Sequence, residues 1–109
     1  APIEKVEFSC CGAEGFAERL TAAGTRRIIL TGIEAHVCVL LTALDLLEAG
    51  YTVHVVSDAV CSRSRENWRI ALDQLRQAGA IVTSTETVLF QLLRQADTDD
   101  FKALQKLVK

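Results

Sequence analysis

Three Ala-Gly pairs divide the sequence, and a short apolar run follows each pair within a few residues. The pairs are Ala23-Gly24, Ala49-Gly50 and Ala78-Gly79. Glycine often ends a helix because it adopts the left-handed conformation at no steric cost, and apolar runs of this kind are typical of buried strands. The pairs recur at roughly 25–30 residues, the length of a βαβ unit, so we expect parallel strands joined by right-handed crossovers.

The pattern predicts one α/β domain over residues 1–109, a three-layer α/β/α arrangement with a mostly parallel, Rossmann-like sheet. Strands are predicted at residues 27–31, 51–57 and 80–83, after an extended segment at 2–9. Helices are predicted at residues 13–23, 36–49, 65–78, 85–96 and 99–108, with a polar loop at 58–64. Ligands bind at the carboxyl ends of parallel strands, so we expect the functional site around residues 32–38, 58–64 and 84–86.

Composition excludes several classes of partner. A net charge of −2 and a pI near 5.6 give no basic surface, so we expect neither nucleic acid nor membrane as a partner. No apolar run reaches the ~18 residues of a membrane span, and no signal-peptide pattern opens the sequence. The cysteines Cys10, Cys11, Cys38 and Cys61 lack zinc spacing and do not form a disulfide framework. We therefore expect free thiols in a cytoplasmic compartment and no metal.

One cysteine lies in a position that suits chemistry. Cys38 follows the predicted strand 27–31 and a short turn beginning at Gly32, at the start of the predicted helix 36–49. The positive end of a helix stabilises an anion, so a thiol in the first turn should form a thiolate easily. Backbone amides of the same turn could also hold a developing oxyanion. The alternative is that the cysteine only packs in an apolar helix.

The predicted helix 36–49 is apolar on almost every side, with a narrow polar side at Thr42, Asp45 and Glu48. A helix of this kind is usually buried on more than one side. The strands are also apolar enough to be central, although the sequence supplies only three clear ones. We therefore expect the C-terminal part of a larger domain, which forms a homo-oligomer or assembles with an N-terminal segment.

Three motifs together resemble the isochorismatase-like cysteine hydrolases, a superfamily that includes nicotinamidases and N-carbamoylsarcosine amidohydrolases. The resemblance covers about residues 3–85. The motifs are Lys5-x-x-Phe8-Ser9, then Gly32-Ile33-x-x-x-x-Cys38-Val39-x-x-Thr42-Ala43, then Ala49-Gly50-Tyr51-x-Val53-x-Val55-Val56-x-Asp58-Ala59.

The resemblance implies a hydrolase that cleaves a small amide or related C–N bond. Cys38 would be the nucleophile and would form a thioester-type intermediate that water resolves. Lys5 would stabilise the thiolate. A cis peptide bond would fall at Ile33–Glu34 and direct the amides of Glu34 and Cys38 at the oxyanion. The sequence has two histidines and no Asp-x-His pattern, which argues against the metal-binding nicotinamidase branch of the superfamily, and we expect no cofactor here.

The family's general base is an aspartate on a strand that precedes the lysine, and no aspartate precedes Lys5 in this sequence. These 109 residues alone are therefore expected to be a poor enzyme. The alternative function is a catalytically inactive homologue or fragment that acts as a structural or interaction subunit. A nucleotide-binding module is a weaker alternative, because no Gly-x-Gly-x-x-Gly or P-loop follows a strand.

Other polar side chains have an ordinary structural explanation. His36 lies two positions from Cys38, so their side chains should point apart on a helix. His54 is expected to be a satisfied core or interface histidine, and Asp58 to accept hydrogen bonds from loop amides. Lys5 without its motif would be a surface lysine. Four further residues are expected to line a substrate pocket, and these are Phe8, Ala35, His36 and Cys61.

Overall fold

The computed structural model of the protein describes residues 3–94 and 99–107. A 3₁₀-helical turn, Cys10–Gly12, precedes the first helix, and a π-helical turn, Ala35–Val39, leads directly into the second. The helices and strands are α1 Phe16–Ala23, β1 Arg27–Ile33, α2 Leu40–Glu48, β2 Thr52–Cys61, α3 Arg65–Ala78, β3 Ile81–Thr83, α4 Thr85–Leu93 and α5 Asp99–Gln105. The predicted alternation of strands and helices is confirmed.

The three strands form one parallel sheet in the order β1-β2-β3. Ile29 of β1 lies beside His54 of β2, and His54 lies beside Ile81 of β3. The parallel sheet with helices on both faces is the predicted fold class. Among the described residues β1 has β2 as its one neighbour, and Ile33 at its end is 67% exposed.

The hydrophobic core lies between α2 and α3 and the face of the sheet that carries Val53 and Val55. Leu46 of α2 and Leu75 of α3 are almost completely buried there. On the other face, α4 lies against β2, and its Val88 contributes to a cavity together with Ile29 and His54. The molecule therefore has three layers, which are α2 with α3, the sheet, and α4. Most of the buried apolar side chains lie between α2 with α3 and the sheet.

Local sequence explains the bounds of α3, which are those predicted. The hydroxyl of Ser64 accepts a hydrogen bond from the Asn67 amide (3.2 Å) and so caps the first turn. Gly79 ends the helix with φ +104°, a conformation that side chains with a Cβ rarely adopt. The Ser64 cap and the Gly79 terminator therefore determine where this helix begins and ends, independently of the core.

The prediction that β2 ends at residue 57 and that a polar loop follows it is wrong. β2 continues to Cys61, and its register against β1 shifts between Leu30 and Gly32, where two positions of β1 correspond to five of β2. The indole N–H of Trp68 donates to the carbonyls of Ser57 (3.2 Å) and Val60 (3.1 Å) and holds this bulge. The polar residues there are part of a bulged strand end.

Three helix predictions also need correction. The helix predicted from residue 36 begins with a π-helical turn at Ala35, and the helix predicted from residue 13 begins at Phe16. Thr42, predicted on a polar side of its helix, is 2% exposed. The helix predicted to reach residue 96 ends at Leu93, because Arg94 has φ +65°. Residues 95, 96 and 108 of the predicted C-terminal helices lie outside the described residues.

Within residues 3–94 and 99–107, we found no helix that is long and apolar enough to span a membrane. Several large apolar side chains are nevertheless exposed, among them Val6, Phe8, Ile29, Ile33, Ile81 and Leu92. Exposure of single apolar side chains does not define an interaction face, and the homo-oligomer stays a prediction.

Candidate active site

The turn between β1 and the helix begins with an unusual backbone. Gly32 has φ +112°, where a residue with a Cβ would be strained, and the Ile33–Glu34 peptide bond is cis. The bond is the one that the family resemblance implies. Ala35, expected among pocket residues, is fully buried and packs in the hydrophobic core. The turn is thus anchored in the core by the residue that follows the cis bond.

Cys38 lies within the π-helical turn that this backbone introduces. The amides of Val37 and Val39 both donate to the Glu34 carbonyl at 3.1 Å, and the second of these bonds has the five-residue spacing of a π turn. The thiol of Cys38 is free and partly buried. It therefore lies at the N-terminal end of a helix that continues through α2, where the dipole favours negative charge.

Lys5 comes from the segment that precedes the 3₁₀ turn, and its ammonium lies next to this thiol. Lys5 Nζ is 3.8 Å from Cys38 Sγ, and it also donates to the carbonyls of Glu7 (2.8 Å) and Phe8 (3.1 Å). Two carbonyl oxygens and a sulfur thus surround the ammonium. The ammonium is therefore the charged group that the structure places next to the Cys38 sulfur.

Two further contacts join the same segment to α2. The hydroxyl of Ser9 donates to Asp45 Oδ2 at 2.6 Å, and the Cys10 amide donates to Thr42 Oγ1 at 2.8 Å. Thr42 and Asp45 lie four and seven positions after Cys38, hence on the same side of the helix. The hydroxyl oxygen of Thr42 and the carboxylate of Asp45 therefore bind the segment that carries Lys5.

The end of β2 meets the turn from the other side. Glu34 Oε2 accepts hydrogen bonds from the Arg63 amide (2.9 Å) and from Arg63 Nε (3.1 Å). The hydrogen bond from the Arg63 amide, with a smaller contribution from the Arg63 guanidinium, lowers the pKa of Glu34.

The side chain of His36 faces the residue that follows β2. His36 Nδ1 is 2.8 Å from the hydroxyl of Ser62, so His36 pairs with Ser62 and not with the thiol of Cys38.

The remaining predicted pocket residues are dispersed. Phe8 is 63% exposed beside Lys5, and Cys61 is exposed at the end of β2. Cys61 lines a shallow depression of about 410 Å³ together with Ser57, Val60, Ser62, Arg63, Arg65 and Trp68. A larger cavity of about 700 Å³ lies on the α4 face of the sheet, and none of the predicted site residues lines it.

Asp58 has the structural role that the sequence predicts. Its Oδ1 accepts hydrogen bonds from the Thr85 amide (2.8 Å) and hydroxyl (2.9 Å), and these bonds lower its pKa, the amide most. His54 is expected to be satisfied in the core or at an interface; its buried Nδ1 has no hydrogen-bond partner within the described chain, so the core alternative is wrong there and the interface alternative stays a prediction. Cys10 and Cys11 are partly buried, and burial raises the pKa of the Cys11 thiol.

In residues 3–94 and 99–107, no three His, Cys, Asp or Glu side chains lie close enough together to hold a metal ion. The sequence predicts Cys38 and Lys5 as site residues but gives no such role to Thr42, Asp45 and Ser9, whose oxygens join the segment that carries Lys5 to the helix that carries Cys38. A signal was present, because a threonine and an aspartate at positions +4 and +7 from the cysteine interrupt an apolar helix. Glu34 and Ser62 carried no comparable signal.

Comparisons with known proteins, by sequence and by fold, agree on one family. The Isochorismatase domain profile matches residues 1–87. The chain is 47% identical over 108 residues to the secreted isochorismatase effector Isc1 of Phytophthora sojae, covering 98% of this chain and 51% of that protein. Because that relative is described as secreted, the cytoplasmic location expected from the cysteines stays a prediction.

Two solved structures share the fold. The MAR1 ribonuclease from Caenorhabditis elegans is 46% identical with a TM-score of 0.83, covering 95% of this chain and 53% of that one. YcaC from Pseudomonas aeruginosa, determined with hexane-2,5-diol and covalent acrylamide, is 27% identical with a TM-score of 0.87, covering 93% and 51%. The chain spans about half the length of the curated relatives that it matches. With four fifths of its residues inside the domain profile, the chain belongs to the isochorismatase family.

Proposed function

We propose that this chain carries the nucleophile and the cationic residue of a cysteine hydrolase that cleaves the C–N bond of a small amide. The observation that carries the proposal is the 3.8 Å contact between Lys5 Nζ and Cys38 Sγ. Isolated surface lysines and packing cysteines have no reason to meet, whereas a thiolate nucleophile needs a nearby cation or base.

The reaction would proceed in two stages. Cys38 Sγ forms a bond to the amide carbon while the carbonyl oxygen gains negative charge, which the amides of Glu34 and Cys38 would stabilise. Collapse of this intermediate breaks the C–N bond, and the leaving nitrogen takes up the proton that the Cys38 thiol has lost. Water then adds to the thioester, the C–S bond breaks, and the acid and the thiol are released.

A small neutral substrate suits the site better than a polymer. The chain has a net charge of −2, which does not favour a polyanion, although one structural relative is named a ribonuclease. The covalent acrylamide in the P. aeruginosa relative supports a nucleophile in a protein of this fold. RNA therefore belongs in any substrate screen as the competing class.

Lys5 and Cys38 do not account for every proton transfer. The family resemblance implies an aspartate as general base, and the four residues before Lys5 include none. An inactive homologue that serves as a subunit would keep the fold without turnover. A reactive Cys38 that acylates but does not turn over would indicate this second function.

The first test is the alkylation rate of each cysteine at pH 7 with iodoacetamide, followed by peptide mapping. Cys61 is exposed and Cys38 only partly buried, so accessibility alone predicts that Cys61 reacts first. We expect the reverse order. The variant Lys5→Met should slow Cys38 about fivefold, the effect of a unit charge at ~4 Å in water, and leave Cys61 unchanged. Lys102→Met, on an exposed face of α5, is the matched control.

The second test is turnover of small primary amides, measured as released ammonia, with Cys38→Ala and Cys61→Ala compared. Loss of turnover in the first variant alone supports the proposal, and an acyl adduct on Cys38 in the intact mass would identify the intermediate. Hydrolysis that survives Cys38→Ala, of amides or of RNA, would exclude Cys38 as the nucleophile.

A further inference from the structure

Cys38, Thr42 and Asp45 form a line along one side of the helix that begins at Ala35, and each contacts the segment of residues 5–10. We refer to these three residues as the α2 stripe. The contacts are Lys5 Nζ to Cys38 Sγ (3.8 Å), the Cys10 amide to Thr42 Oγ1 (2.8 Å) and the Ser9 hydroxyl to Asp45 Oδ2 (2.6 Å). One helix therefore presents the thiol and also holds the segment that supplies the cation.

We propose that Thr42, supported by Asp45, is a positioning residue that sets the distance between the Lys5 ammonium and the Cys38 sulfur. The inference rests on the proposed function, since it concerns the same thiol and the same cation. It adds residues that neither the family resemblance nor the comparisons give a role.

The segment has little else to hold it in place. Residues 4–8 are exposed, with Val6 at 94%, and they form no strand in the described structure. Apolar burial therefore contributes little to the position of residues 4–8, and the hydrogen bonds of Ser9 and Cys10 are the directed contacts that join the segment to the helix.

The ammonium moves with the segment. Lys5 Nζ donates to the carbonyls of Glu7 and Phe8, which belong to the same segment, so these bonds fix the ammonium relative to the segment's own backbone. Any contact that fixes the segment to the helix consequently fixes the ammonium relative to Cys38. The Cys10 and Ser9 contacts are the ones that do so.

Thr42 is the stronger of the two anchors. It is 2% exposed, so its hydroxyl has no water to replace a lost partner, and the Cys10 amide that it binds would also lose its acceptor. Ser9 joins the second anchor to the 3₁₀ turn, because its Oγ also accepts from the Cys11 amide at 3.1 Å. A defect at Thr42 should therefore displace the whole segment.

The test measures the Cys38 alkylation rate relative to Cys61 in the same molecule, with and without Lys5. Thr42→Val removes the hydroxyl and keeps the shape. We expect it to slow Cys38 about threefold when Lys5 is present, less than the ~fivefold loss set by removal of the charge. In the Lys5→Met background Thr42→Val should have no further effect, and Thr42→Ser should restore the native rate.

Two matched variants guard against a general loss of structure. Thr21→Val removes a hydroxyl that donates to the Ala17 carbonyl (3.0 Å) in α1, and we expect it to change nothing at Cys38. Ser9→Ala changes the segment and not the helix, and it should reproduce the direction of the Thr42→Val effect even where that variant folds poorly.

The outcomes separate this inference from the proposed function. If Lys5→Met slows Cys38 and neither Thr42→Val nor Ser9→Ala does, positioning by the α2 stripe is wrong and the cation–thiol pair stands. Equal slowing by Thr42→Val in both backgrounds would also overturn the inference, because the effect would not pass through Lys5. If Lys5→Met has no effect, both proposals fail.

Discussion

Two segments contact the turn that carries Cys38, and they are held by different kinds of contact. The end of β2 and the two residues after it, residues 57–63, contact Glu34 and His36 of this turn, and they are held by the sheet, where Gly32 pairs with Val60, and by Trp68, which binds the carbonyls of Ser57 and Val60. The Lys5 segment, residues 5–10, has no strand partner among the described residues and is bound to the helix by side-chain oxygens. The sheet determines the position of the first segment, and a few polar contacts determine the position of the second.

The difference suggests a division of roles within the site. Sheet and core fix the turn that carries the thiol, because elements packed in a core hold their side chains more precisely than loops do. The cation lies on a segment whose position a single hydroxyl can change. We therefore expect stability to depend on the β2 side and thiol reactivity to depend on the Lys5 side.

The largest expected effect tests the stability half of this comparison. Leu75 of α3 is fully buried in the core that supports the turn, so Leu75→Ala should cost about 3 kcal/mol of unfolding free energy. Val6→Ala in the Lys5 segment should cost no more than about 0.5 kcal/mol, because Val6 is exposed. Urea denaturation followed by circular dichroism measures both. Equal costs would mean that the Lys5 segment is part of the folding core, and the comparison would fail.

An intermediate effect is expected at the bulge of β2. Trp68→Phe replaces the indole with a smaller aromatic ring and removes the N–H that binds the carbonyls of Ser57 and Val60, and the lost hydrogen bonds alone should cost about 1 kcal/mol. The Cys38 alkylation rate in folded protein should stay within twofold of the native rate. A large change in that rate with little loss of stability would show that the β2 end tunes the thiol, and would reverse the division of roles.

The sheet side of the molecule was largely predictable from sequence. Its signals are local and periodic: an apolar run, an Ala-Gly stop, and a serine cap three residues before Asn67. The bounds of α3 and the parallel order of the strands follow from them. The bulge of β2 did not, because Asp58 and Ser57 are typical loop residues whose strand conformation depends on a distant indole N–H and on Thr85.

The Lys5 side was predictable only through a family motif. Nothing local in the sequence connects a lysine at position 5 with a cysteine at position 38, because the contact depends on how two segments dock. Thr42 was assigned to a polar helix side since its hydroxyl suggests solvent, and burial with a backbone donor is a tertiary fact. Side-chain hydrogen bonds of this kind do not change the hydrophobic periodicity of the sequence, so the pattern does not predict them.

The smallest expected effect concerns pH and again separates the two sides. The Thr85 amide and hydroxyl lower the pKa of Asp58, so its carboxylate stabilises the fold above the ordinary aspartate value of ~3.9. That contribution is fully present at pH 7 and is lost as the pH falls through the lowered pKa. Because Asp58 is exposed, we expect Asp58→Asn to cost only about 0.5 kcal/mol at pH 7 and progressively less below pH ~4.

Asp73→Asn, which breaks an exposed ion pair with Arg76 on α3, is the control for a surface charge. A cost for Asp58→Asn that persists unchanged at low pH would assign the effect to packing and not to the carboxylate. A change in Cys38 reactivity at pH 7 would show instead that the two sides of the site are coupled.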